Sequence, residues 1–201
     1  LGELSLEGQL RGVAGALTMA ISAKESGIKR LFIAAVNADE AAYVDGIKVY
    51  PVETLSQLVA HLSGEQQITP LPTHVYQPDE AAYCAHDMAH IRGQQHARRA
   101  LEIAAAGGHN ILFIGPPGSG KTMLARAVPG ILPELTFEEA LEITKIHSVC
   151  GLSAGGLITA RPFRSPHHTM STAALTGGGH RVLPGEISLA HRGVLSPGRG
   201  H

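Results

Sequence analysis

A chain of 201 residues allows one or two domains, and its 44% of apolar residues is enough for a hydrophobic core. The formal net charge of −1 excludes an overall basic surface of the kind that attracts nucleic acid, and the longest apolar runs are too short to cross a membrane. Residues 1–10 lack the basic and apolar regions of a signal peptide, and Leu1 is interpreted as an internal position of a longer protein because no initiator Met is present.

The first part of the chain predicts an alternation of strands and helices. A Glu7-Gly8 turn between two apolar runs favours a hairpin. Gly27 is placed to end a helix, and Thr54 with Gln57 forms a capping box that is typical of a helix start. The predicted strands cover residues 3–6, 9–13, 30–36 and 47–50, and the predicted helices cover residues 16–26, 38–43 and 54–64.

Residues 65–85 differ in composition from the residues before them. Pro70, Pro72 and Pro78 occur among Gln and Thr residues, and no hydrophobic periodicity remains. Proline-rich segments of this kind are extended and semi-rigid. We therefore predict a linker over 65–85, with one domain over 1–64 and a second over 86–201.

A second α/β unit is predicted from residue 86 onward. A helical pattern over 94–106 ends at Gly107-Gly108, and the apolar run 111–114 predicts a short buried parallel strand. Thr136 and Glu139 form another capping box, which opens a helix to about residue 147. Residues 151–185 are rich in Gly, Pro, Ser, Thr and His and are predicted to be irregular, which in a compact domain indicates a functional segment.

A complete phosphate-binding loop follows the predicted strand. Gly115, Gly120, Lys121 and Thr122 fit the pattern G-x-x-x-x-G-K-[ST], in which the glycines let successive N–H groups point at one anion. Lys121 is expected to reach the β and γ phosphates of ATP, and the Thr122 hydroxyl is expected to bind Mg²⁺. An ordinary glycine-rich turn is the alternative. The residues predicted to bind the nucleotide are Gly115, Pro116, Pro117, Gly118, Ser119, Gly120, Lys121 and Thr122.

The sequence after the loop lacks the acidic residue that a P-loop ATPase needs at the end of a neighbouring strand. Glu134, Glu186 and the acidic residues of 136–142 are predicted on loops or a helix, and Val194-Leu195 is followed by SPGRGH. No catalytic residue is therefore assigned, and this 201-residue chain is expected to show no ATPase activity.

Two groups of residues suggest metal ligands without completing a metal site. Cys84, His86 and His90 have no fourth ligand at a suitable spacing. His167 and His168 are adjacent, and adjacent side chains of an extended segment point in opposite directions, so they are not expected to bind one ion together. A role of this pair in subunit or substrate contacts and a purely structural loop both stay open.

Arginines near these segments are candidates for contact with phosphate. Arg161 and Arg164 lie in the segment rich in Pro and His and are the best local candidates for this contact, although a solvent-exposed loop is the default interpretation. Arg98 and Arg99 lie on the helix before the loop and are predicted to be solvated.

Residues 86–195 resemble the start of an AAA+ ATPase of the magnesium-chelatase-like branch that includes the ComM and YifB proteins. The resemblance implies a P-loop α/β domain, binding of ATP or ADP with Mg²⁺, a cytoplasmic location, a homo-hexameric ring and, for the ComM type, DNA branch migration in natural transformation. Ile91 and Gly93 match the family's adenine-pocket stretch, with packing at a helix start as the alternative. The resemblance is carried by IRGQ at 91–94, the helix 97–106, GGHN at 107–110, the phosphate-binding loop, ITKIHSV at 143–149, RPFRSPHHT at 161–169 and PGEISLAH at 184–191.

Residues 1–64 resemble the C-terminal half of the Lon-protease-like α/β domain that precedes the ATPase in the same family. The residues that carry this resemblance are 2–8, Gly15 and 26–31. Lon peptidases have a catalytic lysine at the position of Leu17, and Lys24 lies about two helical turns further along. The resemblance therefore implies a partial Lon-protease-like domain without peptidase activity.

Two functional hypotheses follow from these features. In the first, the chain binds ATP as part of a DNA-related motor that hydrolyses ATP when it is full length. In the second, the chain is an inactive nucleotide-binding or structural remnant. Relatives continue with FLDE where this chain has SPGRGH, and Pro197-Gly198-Arg199 can be encoded by bases that give Leu-Asp-Glu in another frame. A frameshift is therefore hypothesised, with the AAA+ domain truncated before its Walker B acid.

Overall fold

The computed structural model describes residues 1–78, 86–152, 156–167, 169–178 and 182–197. Contacts divide the chain into two units. The first comprises Leu1–Tyr76 and Ala140–Ile158, and the second comprises Gln77–Glu139 and Thr159–His201. The domain limits drawn from the sequence differ from this grouping in the placement of 140–158, and they stay predictions.

Short strands and helices alternate in both units, so the class of the described chain is mixed α/β. The strands are β1 (Glu3–Leu4), β2 (Leu10–Arg11), β3 (Arg30–Ala34), β4 (Lys48–Val52), β5 (Phe163–Arg164), β6 (Gly177–Gly178), β7 (Leu183–Pro184) and β8 (Val194–Leu195). The helices are α1 (Ala16–Glu25), α2 (Ala35–Ala41), α3 (Leu55–Ser63), α4 (Gln95–Gly107), α5 (Lys121–Ala127), α6 (Phe137–Val149), α7 (Thr172–Thr176) and α8 (Glu186–Leu189). Among the described helices, none combines the length and apolar character needed to cross a membrane.

The first unit is built on the hairpin of β1 and β2 and on the parallel pair of β3 and β4. Leu31, Ile33 and Val49 point from these parallel strands into the core, where α1 buries Ala16 and Leu17. Leu17, which the resemblance to Lon peptidases aligns with their catalytic lysine, is fully buried. The hairpin, α1, α3 and both longer strands occur where the sequence predicts them.

The helix α2 begins earlier than predicted. It starts at Ala35 directly after β3, and Val36, which was predicted at the end of the strand, lies in its first turn. Ala34 at the N-cap makes no side-chain hydrogen bond to the helix, so the sequence carries no capping residue that marks this boundary.

The predicted capping box at the start of α3 forms in part, because the Gln57 side chain binds the N–H of Glu53 and not that of the N-cap residue Thr54. Thr54 Oγ1 accepts a hydrogen bond from the Gln57 N–H at 3.2 Å, and Gln57 Oε1 accepts one from the Glu53 N–H at 2.8 Å. Gly64 ends the helix with a φ of 84°, the left-handed conformation that glycine adopts without strain.

Replacing Thr54 by alanine is expected to lower the free energy of unfolding by about 1 kcal/mol, because the Gln57 N–H loses its acceptor at the helix start. Urea denaturation followed by circular dichroism measures this change. Ser56→Ala removes a hydroxyl from an exposed position of the same helix and is the matched control. Equal effects of the two substitutions would contradict a capping role for Thr54.

The segment after α3 packs along the first unit although its composition predicts a linker. Ile68 is buried, and its N–H donates to His61 Nδ1 at 2.9 Å. The Leu71 N–H donates to the Val49 carbonyl at 2.8 Å, beside β4. Both donors are main-chain N–H groups, which every residue except proline carries, so the composition of the segment gives no signal for these bonds.

The helix α6 begins with the predicted capping box, in which Thr136 Oγ1 accepts from the Glu139 N–H at 3.2 Å and Glu139 Oε2 accepts from the Thr136 N–H at 3.3 Å. Toward its C-terminal end, Ser148 accepts the Gly15 N–H through its carbonyl at 3.0 Å and through its Oγ at 3.1 Å. The last turns of α6 are thereby attached to the start of α1 within the first unit.

The second unit has a core between α4 and α5. Its buried members are Met88, Ile91, Leu101, Leu124 and Ala127, with Phe113 packed against them. Because α5 contributes Leu124 and Ala127 to this core, the orientation of its N-terminal end is fixed by apolar packing against α4.

The buried parallel strand predicted over 111–114 is not formed, and this prediction is wrong. The segment has no strand pairing, and the side chains of Ile111, Leu112 and Ile114 are 39%, 72% and 89% exposed. A central strand needs neighbouring strands that satisfy its backbone groups, and none of the described strands lies beside this segment.

The prediction of an irregular segment over 151–185 is only partly correct. In its described part, β5 pairs in parallel with β8, and β6 pairs with β7 in an antiparallel hairpin. These strands have two residues each, which is too short for a period-two pattern to be visible in the sequence.

Candidate functional site

The predicted phosphate-binding loop forms a turn that leads directly into α5. The Ser119 N–H donates to the Pro116 carbonyl at 3.3 Å, and Gly118 and Gly120 have φ angles of 77° and 85°. Residues with a Cβ atom rarely adopt this left-handed conformation, which explains the glycine that the pattern requires at 120 and the further glycine at 118. At Gly115 a Cβ atom would stand 3.1 Å from Ser119 Oγ, so this glycine is explained by a close approach instead.

The side chain of Lys121 lies over this loop. Its Nζ donates to the carbonyl oxygens of Gly115 at 2.7 Å and Pro116 at 2.8 Å, and it stands 3.4 Å from Ser119 Oγ. The ammonium group therefore lies against the main chain of Gly115 and Pro116, within the segment that is predicted to bind phosphate.

The remaining predicted contacts of the loop are accessible to a ligand. Pro116, Pro117, Gly118 and Thr122 are exposed, and Thr122 is the second residue of α5. A hydroxyl at this position, directly after Lys121 in the sequence, is the group that binds magnesium in phosphate-binding loops of this pattern. The chemistry of the residues therefore fits ATP and Mg²⁺.

Ile91 and Gly93 differ in their environment. Ile91 is only 4% exposed and belongs to the core formed with Leu101 and Leu124, which favours the packing alternative left open by the sequence. Gly93 is exposed, with a φ of 73° and no atom within 4 Å of a Cβ built on it. Its turn conformation explains the glycine, and its predicted contact with adenine stays a prediction.

Gln94 is a contact of the loop that sequence reasoning missed. Its Nε2 donates to the Ser119 carbonyl at 3.5 Å, across 25 positions of sequence. No pattern in the sequence signals this contact, because it depends on an unusual backbone conformation of Gln94, with φ 51° and ψ 37°.

Arg161 is nearly buried, contrary to the prediction of a solvent-exposed loop. Its Nε donates to the Pro133 carbonyl at 2.6 Å, and its Nη1 donates to the Arg192 carbonyl at 2.6 Å. Its Nη2 stands 3.3 Å from Glu139 Oε2 and 3.4 Å from the Glu134 carbonyl, with the side chain 10% exposed. These bonds support a structural role of Arg161.

Arg164 is also engaged within the chain. Its Nε and Nη2 donate to the two carboxylate oxygens of Glu186, each at 2.6 Å, in the bidentate geometry that suits a guanidinium group. This pair joins β5 to the first residue of α8. The geometry therefore favours a structural role over phosphate contact for Arg164.

Residues next to β8 show how closely its backbone approaches β5. Arg192 is held at a φ of 58°, and a Cβ on Gly193 would collide with the Pro162 carbonyl oxygen. The Val194 N–H donates to that carbonyl at 2.8 Å. Only glycine at position 193 permits this close approach. Arg161 binds the carbonyl of Arg192, the residue before Gly193.

The other arginines behave differently from one another. Arg99 is solvated as predicted and forms an exposed pair with Glu102 at 2.8 Å. Arg98 is partly buried instead, because its Nη1 donates to the Ile91 carbonyl at 3.2 Å.

Histidine and cysteine residues do not gather into a metal centre in the part of the chain that the structure describes, where no group of three or more potential ligands occurs. Cys84 and His168 lie outside the described residues, so the predictions for them are untested. His86 and His90 are exposed. His167 Nδ1 stands 2.7 Å from Thr169 Oγ1, a local contact within its own loop.

The sequence from residue 87 to residue 196 matches a described protein family. The family is "Magnesium chelatase, subunit ChlI", and the match extends over residues 87–196, which is more than half of the chain. The chain belongs to the magnesium chelatase subunit ChlI family. A second description of this group, "Subunit ChlI of Mg-chelatase", matches residues 1–37.

Several curated proteins are similar to this magnesium-chelatase-like chain along almost its whole length. An uncharacterized protein of Mycobacterium tuberculosis is 49% identical over 198 residues, which is 97% of the chain and 39% of the relative. YifB of Escherichia coli is 45% identical over 197 residues, covering 97% and 38%, and competence protein ComM of Haemophilus influenzae is 45% identical over 199 residues, covering 97% and 39%. The predicted resemblance to the ComM and YifB type is confirmed. The chain spans about two fifths of the length of these relatives.

Part of the chain is similar to Lon proteases. An archaeal Lon protease of Archaeoglobus fulgidus is 43% identical over 51 residues, which is 25% of this chain and 8% of that protein. The similarity supports a relation to the Lon-protease-like domain, and its arrangement as a C-terminal half-domain stays a prediction.

Proposed function

We propose that this chain binds ATP or ADP together with Mg²⁺ at residues 115–122, as the nucleotide-binding part of a magnesium-chelatase-like AAA+ ATPase. The observation that supports it most is the loop itself: left-handed glycines at 118 and 120 lead into α5, with the ammonium of Lys121 held over the loop. In this arrangement the backbone N–H groups bind phosphate, and Lys121 neutralises its charge.

The magnesium ion would supply charge neutralisation between the outer phosphates. Thr122 is the residue that would hold it, because its hydroxyl lies on the first turn of α5 directly after Lys121. The α4–α5 core keeps this turn in place, with Leu124 buried.

Replacing Thr122 by valine is expected to weaken ATP binding about tenfold in the presence of Mg²⁺, because the metal loses a ligand. In EDTA the variant and the unsubstituted chain are expected to bind ATP equally. Titration calorimetry under both conditions measures the difference. Thr18→Val makes the same change at an exposed position of α1 and is the control. An equal loss in Mg²⁺ and in EDTA would contradict a metal-ligand role of Thr122.

The activity proposed for the whole protein is work on DNA by a homo-hexameric ring driven by ATP hydrolysis in the cytoplasm. It is supported by membership of the family and by the similarity to a protein named competence protein ComM. Sedimentation of the full-length protein with and without ATP tests the ring. A branched DNA substrate, with ATP and with ADP, tests the motor.

Binding of nucleotide without turnover is the second candidate function. It is supported by the residues after β8, where Ser196 and Pro197 stand instead of an acidic pair. A steady release of phosphate from ATP by this chain, absent in Lys121→Ala, would contradict it. Phosphate release at the level of the buffer would support it.

A further inference from the structure

Gln94 has a strained backbone next to the candidate nucleotide site. It occupies the left-handed region, with φ 51° and ψ 37°, and among the described residues Arg192 is the other non-glycine with a positive φ. Gln94 is the N-cap residue of α4, but its side chain makes no capping hydrogen bond to the helix that would offset this strain. Strain of this kind persists where the surroundings enforce it, and it occurs often at binding sites.

The surroundings that enforce this conformation can be identified. Ile91 is buried with Leu101 and Leu124, which fixes the chain three positions before Gln94. The Arg98 N–H donates to the Gln94 carbonyl at 2.9 Å, and Arg98 Nη1 donates to the Ile91 carbonyl at 3.2 Å. The turn between Ile91 and α4 is thus held at both ends.

The side chain of Gln94 is directed at the phosphate-binding loop as a result. Its Nε2 stands 3.5 Å from the Ser119 carbonyl oxygen, which is longer than the usual distance of about 2.7–3.2 Å and makes this a weak hydrogen bond. Ser119 is central in the loop, because its N–H donates to the Pro116 carbonyl at 3.3 Å and its Oγ lies 3.4 Å from Lys121 Nζ. Fixing the Ser119 carbonyl also fixes the plane of the peptide that carries the Gly120 N–H.

We propose that Gln94 is a positioning residue of the phosphate-binding loop. Its carboxamide holds the Ser119–Gly120 peptide so that the N–H groups at the start of α5 face the phosphates, and the strained backbone directs it there. The expected effect on ligand binding rests on the proposed function. Gln94 acts on the loop that binds the phosphates and not on the adenine base, so Gln94 contributes equally to the affinity for ATP and to the affinity for inorganic triphosphate.

The first test needs no ligand. Gln94→Met keeps the length of the side chain and removes its donor, and Gln95→Met makes the same change at the next, exposed position of α4. Hydrogen–deuterium exchange of the amides of residues 118–121 in the full chain is expected to be about threefold faster in Gln94→Met and unchanged in Gln95→Met. Unchanged exchange in both variants overturns the inference. Because no nucleotide is added, this result stands even if the unsubstituted chain binds no ATP, an outcome that would contradict the proposed function alone.

The second test uses magnesium with ATP and magnesium with inorganic triphosphate as probes. In Gln94→Met both affinities are expected to fall by the same factor, about three- to tenfold, since one hydrogen bond is lost. A loss for ATP without a loss for triphosphate would place Gln94 on the base and overturn the inference.

Gln94→Gly separates positioning from a contribution to stability. Glycine adopts the left-handed conformation without strain, so the melting temperature is expected to be equal or higher while the affinity for triphosphate falls as in Gln94→Met. A glycine variant that binds triphosphate as tightly as the unsubstituted chain overturns the inference, because the side chain would then be dispensable.

Discussion

Lys121→Ala is expected to lower the affinity of the chain for magnesium–ATP about a hundredfold or more, since charge-assisted hydrogen bonds to phosphate contribute about 1.5–3 kcal/mol each and this lysine supplies more than one. Its Nζ already lies within 2.8 Å of two loop carbonyls, so a small rotation of the side chain brings it to a phosphate bound in the same loop.

Two controls separate the loss of charge at the loop from general effects. Lys24→Ala removes an exposed lysine from α1 and is expected to leave ATP binding unchanged. Thermal unfolding of Lys121→Ala shows whether the lost bonds to Gly115 and Pro116 destabilise the fold. Titration calorimetry that gives the same affinity for Lys121→Ala and the unsubstituted chain would contradict the proposed site.

Arg161→Met is expected to destabilise the second unit by about 1.5–3 kcal/mol, because the partly buried carbonyls and carboxylate that it binds lose a charged hydrogen-bond donor. The lost bonds are those to the carbonyls of Pro133 and Arg192 and to the carboxylate of Glu139, at distances of 2.6, 2.6 and 3.3 Å. In this variant Glu139 still has its ion pair with Arg192, at 3.5 Å, so the expected loss of stability lies toward the lower end of this range.

The chain offers a matched control for this substitution. Arg99→Met breaks the pair with Glu102, whose side chains are 72% and 50% exposed, and exposed pairs contribute about 0–1 kcal/mol. Urea denaturation of both variants gives the comparison, and hydrogen exchange of β5 and β8 locates the change. Arg161→Lys is expected to restore little, because an ammonium group cannot reach several carbonyls at once. Equally small losses of stability in Arg161→Met and Arg99→Met would contradict a stabilising role of the hydrogen bonds that Arg161 makes.

The features that the sequence predicts correctly are those with local causes. Thr54 and Thr136 start helices because a hydroxyl reaches an N–H within the same turn, and the spacing is visible in the sequence. The glycines of the phosphate-binding loop are recognised for a similar reason. Each is required by a φ angle or a short contact inside the loop.

The features that the sequence does not predict depend on distant partners. The segment 111–114 has the apolar character of a strand, but pairing is a property of two segments, and a single sequence shows one of them. Arg161 looks like a surface cation because its acceptors are mostly backbone carbonyls, which every residue carries. The contact of Gln94 with Ser119 spans 25 positions and follows from a strained turn.

The exposed segment 111–114 has a consequence for experiments on this chain in solution. It is uncharged, free of proline and rich in β-forming residues, and it belongs to no sheet among the described residues. Such a segment is a template for edge-to-edge association between copies. Association of this kind increases with protein concentration, and the segment immediately precedes Gly115 in the sequence. The affinity for nucleotide is therefore expected to be lower when it is measured at high protein concentration.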